Sequence, residues 1–157
     1  MLSPRKVTAI LFIFALLVVY ASPTYAKTVP VEAKDPCRLE VDYAHISKGK
    51  LRLEGVKYVK VKARSICIFP QRNVTIELKI MKLGAFYDQE VRTFRNNPLL
   101  TSSSGIRVEM NNALVRCKNS RLTYYFGIAT SRTFVMGQWL YAKETYSIKP
   151  VPLRCGT

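Results

Sequence analysis

The chain has one histidine, His45, and a carboxylate, Glu54, nine residues later across a glycine-containing segment. Histidine is the side chain best suited to proton transfer near neutral pH. A general acid or base, however, needs a partner within hydrogen-bond reach. No second group is marked by spacing, so His45 reads as a strand-end residue. A small secreted nuclease using His45 with a carboxylate is the enzymatic alternative. Ser102-Ser103-Ser104-Gly105 has serines but lacks the Gly-x-Ser-x-Gly arrangement of a nucleophile elbow, and reads as a loop. Cys37, Cys67, Cys117 and Cys155 are at least 30 residues apart, unlike the close pairs of a zinc site. Neither a metal nor a cofactor is implied, and the domain reads as non-enzymatic.

Binding chemistry is better represented. Tyr58, Lys60, Lys62 and Arg64 alternate along one segment, forming a basic stripe with an aromatic at one end. Such a stripe can hold a polyanion by charge and stacking. Glu40, Asp42 and Glu77 are placed to neutralise part of it. Arg116, Lys118 and Arg121 form a second basic cluster around Cys117. Of the aromatics in the last third of the chain, Leu122, Tyr124, Phe126 and Ile128 share a parity and read as core. Trp139 and Tyr141 share theirs with Lys143 and are the surface candidates.

The N-terminus sets the compartment. Arg5 and Lys6 precede an uncharged apolar run, Ala9–Ala21, and Thr24-Tyr25-Ala26 offers a small-x-small cleavage pattern. Residues 1–26 therefore read as a secretory signal peptide, the run being short for a membrane span. A polar arm, residues 27–36, and a single domain, residues 37–157, follow. The precursor carries 25 Lys+Arg against 10 Asp+Glu, a net charge of +15. Loss of Arg5 and Lys6 leaves +13, which favours anionic surface polymers, nucleic acid or acidic membranes as partners. Four cysteines in an exported chain of this size imply two disulfides. Asn73-Val74-Thr75 is also a formal glycosylation acceptor.

The elements that must position these groups are short and alternating. Strands are expected at residues 38–43, 57–68, 73–83, 90–94, 106–109, 122–130 and 138–148. Residues 47–55 and 96–105 read as loops, and residues 110–116 as a short helix or an extended connection. In the first strand, Leu39, Val41 and Tyr43 share a face. In the second, Val59, Val61, Ala63, Ser65 and Cys67 face one way; in the third, Val74, Ile76, Leu78 and Ile80 face inward. This pattern predicts an all-β fold, an antiparallel β-sandwich of immunoglobulin-like general architecture.

A hairpin whose paired numbers sum to 104 sets Cys37 opposite Cys67, Glu40 opposite Arg64 and Asp42 opposite Lys62. The pairs Cys37–Cys67 and Cys117–Cys155 follow. A second turn at Phe69-Pro70-Gln71-Arg72 would place Ala63 opposite Leu78, Val61 opposite Ile80 and Arg64 beside Glu77.

The layout resembles a group of small exported four-cysteine proteins common in actinobacteria. The matching pieces are Cys37, the run Val41-Asp42-Tyr43-Ala44-His45-Ile46-Ser47, Val59–Ala63 leading into Cys67, Lys82-Leu83-Gly84, Cys117 before Tyr124, and Cys155. Ala44 stands where that group has a proline. The resemblance implies export, a disulfide-bonded β fold and a structural turn at His45-Ile46-Ser47. It implies no activity. The function expected is non-catalytic binding of an anionic surface polymer or another protein at or beyond the cell surface. The alternative is a cationic toxin or antimicrobial protein acting on anionic envelopes.

Overall fold

A computed structural model describes residues 35–96 and 105–157. The expected signal segment, most of the arm and the Ser102–Ser104 run lie outside these residues. The chain forms β1 (Cys37–Val41), β2 (His45–Ile46), α1 (Lys48–Glu54), β3 (Tyr58–Lys82), β4 (Gln89–Arg95), β5 (Gly105–Arg116), β6 (Asn119–Val135), β7 (Gln138–Tyr146) and β8 (Val151–Gly156). All strand pairs are antiparallel.

The sandwich is one eight-stranded sheet folded over on itself, and β3 is the hinge of the fold. Its first part is flanked by β1 and β2, end to end, on one edge and by β5 on the other. Its last part lies between β4 and β6, with β7 and β8 end to end along the far side of β6. Val59, Val61 and Ala63 from the first layer and Val74, Ile76, Leu78 and Ile80 from the second are buried in one core.

The second turn expected from the sequence does not form. Residues 69–72 lie within the 25-residue β3, so Ala63 pairs with Met110 rather than Leu78, and Val61 with Ala113 rather than Ile80. Arg64 lies opposite Glu109, while Glu77 lies opposite Arg95. Odd-numbered residues face the core before the bend and even-numbered residues after it. The parity change is absorbed by register shifts on both sides of the bend and by Asn73, whose φ is +51°.

Gln71 holds the bend together. Its fully buried amide donates to the carbonyls of Ser65 at 3.0 Å and Ile106 at 3.1 Å, and its oxygen accepts from Ser65 Oγ at 2.8 Å. Ladder pairing between β3 and β5 skips from Ile66 to Gln71. The side chain thus supplies hydrogen bonds where the ladder is interrupted. Cys67 Sγ lies 3.3 Å from the same oxygen. As a disulfide sulfur it carries no hydrogen to donate.

The first hairpin register is as expected. Cys37, Arg38, Leu39, Glu40 and Val41 pair with Cys67, Ile66, Ser65, Arg64 and Ala63. The two disulfides are Cys37–Cys67 and Cys117–Cys155, with no free cysteine. They are the mark of a chain that folds in an oxidising environment. No helix among the described residues is long and apolar enough to cross a membrane.

Other elements differ from expectation. The 47–55 loop contains α1, seven residues with none buried, capped by Ser47 and by left-handed Gly55. Residues 110–116 belong to β5, and β8 adds a strand to β6. β1 stops at Val41, leaving Tyr43 exposed. Leu122 and Tyr124 are also exposed, whereas Tyr125 is fully buried and donates its hydroxyl hydrogen to the Cys155 carbonyl at 2.6 Å. That bond allows a tyrosine to occupy the core; of the four residues expected there, Phe126 and Ile128 are buried and Leu122 and Tyr124 are not.

The layers approach closely at Gly127. A Cβ there would lie 2.6 Å from Val61 Cγ1 and 2.8 Å from Val41 Cγ1 of the opposing layer. Gly127→Val is therefore expected to destabilise the domain by about 1–3 kcal/mol through overpacking, measured as a lower urea midpoint.

Candidate functional site

The sequence candidates divide between the two outer layers. Tyr58, Lys60, Lys62 and Arg64 line the outer face of the first part of β3, with their odd-numbered neighbours in the core. Arg64 is largely neutralised: its guanidinium contacts Glu40 at 2.7 Å and Asp42 at 2.9 Å. Hydrogen bonds from Arg64 and then Arg38 hold the Glu40 carboxyl below its ordinary pKa. Tyr58 lies under the Lys50 ammonium, 5.9 Å from the ring centroid. Lys60 and Lys62 have no ion-pair partner among the described residues. Burial, and secondarily the charge of Lys62, lowers the Lys60 pKa.

His45 is not assembled into a catalytic pair. Its Nδ1 lies 3.1 Å from the Tyr43 carbonyl, while Glu54 pairs with Lys50 on α1. The strand-end arrangement around His45 follows from pairing with Lys60.

Trp139 and Tyr141 lie on the outer face of the other layer, 44% and 71% exposed. Cross-strand pairing sets Trp139 beside Phe134 and Tyr141 beside Arg132. The Arg132 guanidinium lies 5.4 Å from the Trp139 ring centroid. A depression of about 180 Å³ here is lined by Tyr141, Arg132, Arg95, Glu77 and two threonines. Glu77 places a negative charge between the arginines, so this surface suits a mixed polar ligand better than an anion.

A third location joins residues far apart in sequence. The end of β3 pairs with β6, which brings Lys82 beside the start of β6. β8 closes the other side, with Leu122 opposite Arg154 and Asn119 opposite Gly156. The resulting cavity has a volume of about 430 Å³. Lys82, Leu83, Gln89, Asn119, Arg121, Leu122, Thr123, Tyr124, Gly156 and Thr157 line it, two of them cationic and none an Asp or Glu. The size falls in the range of small-ligand sites, and its polar side chains combine two cations with amides and hydroxyls that can donate or accept. Compared with protein-family models, curated proteins and solved structures, the chain matches none.

This basic end gathers part of the Arg116–Lys118–Arg121 cluster seen in the sequence, but its other components were hidden. Lys82 belongs to a different strand, and Gln89 opposes it across a hairpin. Arg154 lies in β8, which sequence alternation did not disclose. The Cys117–Cys155 bridge joins the chain segments that support the site. Lys118 N–H donates to the Gly156 carbonyl at 2.7 Å beside it.

Proposed function

We propose that residues 1–26 export the chain and that its disulfide-bonded domain works outside the cytoplasm as a non-catalytic binder of anionic polymer. The cavity at the basic end carries this reading: Lys82 and Arg121 meet neutral polar side chains there, with no Asp or Glu in the lining. Elsewhere, Glu40, Asp42, Glu90 and Glu109 are engaged with nearby lysines and arginines. Lys82 and Arg121 likewise have no ion-pair partner among the described residues and, unlike Lys60 and Lys62, share a cavity. Repeated phosphate, sulfate or carboxylate groups along a polymer would engage it together with Arg154 and Lys118. Displacement of bound counterions would contribute to affinity and make it salt-sensitive. The non-catalytic assignment is supported by His45 contacting a backbone carbonyl and Glu54 being committed to Lys50.

Immobilised heparin provides a defined polyanion for the test. The oxidised protein is expected to be retained at physiological salt and released as salt rises. Lys82→Glu with Arg121→Glu should elute at clearly lower salt, while Lys60→Glu with Lys62→Glu should shift elution less. Equal elution of wild type and the Lys82/Arg121 variant would contradict the site. Nucleic-acid cleavage abolished by His45→Ala would contradict the non-catalytic assignment.

A further inference from the structure

The β3–β4 hairpin projects an apolar tip from the rim of this basic cavity. Between Lys82 and Gln89, which pair across its base, the sequence is Leu83-Gly84-Ala85-Phe86-Tyr87-Asp88. Phe86 is 97% exposed and Tyr87 is 72% exposed. Leu83 donates its N–H to the Tyr124 carbonyl at 2.9 Å, bringing the hairpin against exposed Leu122 and Tyr124 on β6. Gly84 permits the turn: a Cβ there would collide with the Tyr87 carbonyl oxygen. Lys82 and Arg121 line the adjoining cavity, and Arg154 lies opposite Leu122. Asp88 is the acidic side chain within the hairpin connection.

We infer that this end docks on the surface of an anionic lipid bilayer, with Phe86 and Tyr87 entering the interfacial region and Lys82 and Arg121 meeting headgroup phosphates. The inference rests on the anion-binding reading above and names its partner. A soluble polyanion satisfies the cations but offers no apolar medium to Phe86. A bilayer interface satisfies both: aromatic rings favour the headgroup boundary, and basic residues near it are attracted to anionic lipids. The cavity beside the tip can receive a headgroup while the rings anchor the hairpin. Such docking is peripheral and requires no membrane-spanning element.

Vesicles of mixed phosphatidylglycerol and phosphatidylcholine, compared with phosphatidylcholine alone, provide the test. The oxidised protein should sediment with the mixed vesicles and remain in solution with phosphatidylcholine alone. Phe86→Ser with Tyr87→Ser should weaken vesicle binding roughly tenfold while leaving heparin elution unchanged. Independently, Phe86→Trp should show a blue-shifted tryptophan emission increment over wild type when mixed vesicles are added. Vesicle affinity unchanged by Phe86→Ser with Tyr87→Ser would overturn the docking inference. So would heparin retention without binding to mixed vesicles, leaving the polyanion reading standing. Loss of both vesicle and heparin binding in wild type would overturn both.

Discussion

Replacing Cys117 and Cys155 together by alanine is expected to lower the unfolding free energy by about 3–4 kcal/mol, the loop-closure value for bridging residues 38 apart. The expected loss is large against the ~5–15 kcal/mol total of an ordinary domain. In the folded domain the same bridge ties β8 to the start of β6. The strand has six residues, includes Pro152 and pairs with β6. Cys155 is fully buried, and its carbonyl accepts the Tyr125 hydroxyl hydrogen. Losing the bridge should loosen β8 and the Gly156 wall of the cavity. Denaturant unfolding of oxidised wild type and the double variant measures the stability loss. Heparin elution at reduced salt would accompany it. An unchanged unfolding midpoint would show that β8 is held without the bridge.

Gln71→Leu should destabilise the domain by about 2–5 kcal/mol, because it removes the partners of buried polar groups without removing those groups. The Ser65 and Ile106 carbonyls would lose the Gln71 amide, and Ser65 Oγ would lose its acceptor. Gln71→Glu offers a stringent comparison. It retains an acceptor for Ser65 but loses both amide donors and introduces a buried carboxylate, an additional desolvation cost. Urea unfolding should rank wild type above both variants. Faster amide exchange near residues 65–71 and 105–107 would locate the damage at the bend. Wild-type stability in Gln71→Leu would contradict the assigned role.

Much of the layer pattern was legible because alternating residues had consistent chemistry. Buried Val59, Val61 and Ala63 define one face, while Val74, Ile76, Leu78 and Ile80 define another. Opposed charges and paired cysteines also indicated the β1–β3 register. The bend was not legible by that logic. A change of parity near Pro70 has the same local signature as a turn, and the decisive Gln71 contacts extend to Ile106. α1 buried no side chain and so left no apolar periodicity, although Ser47 and Gly55 were usable capping signals.

The candidate site was legible in fragments. Arg121 stood in a basic cluster, and Trp139 and Tyr141 were correctly expected at the surface. The shared parity of Leu122, Tyr124, Phe126 and Ile128 holds for buried Phe126 and Ile128 but fails for exposed Leu122 and Tyr124, because consecutive tyrosines leave the inward parity of β6 ambiguous. Arrangement of the cavity required β3 and β8 to meet opposite sides of β6. That long-range placement brought Lys82 to Arg121, whereas proximity in sequence had favoured the Lys60–Lys62 stripe.

The most direct measurement is the salt dependence of binding between the oxidised protein and a defined heparin oligosaccharide, comparing wild type with Lys82→Glu, Arg121→Glu. Wild-type log affinity should fall linearly with log salt, and the variant should bind more weakly with a slope shallower by roughly two charge contacts. Salt-independent wild-type binding, or the same affinity and slope in the variant, would contradict anion binding at this basic end.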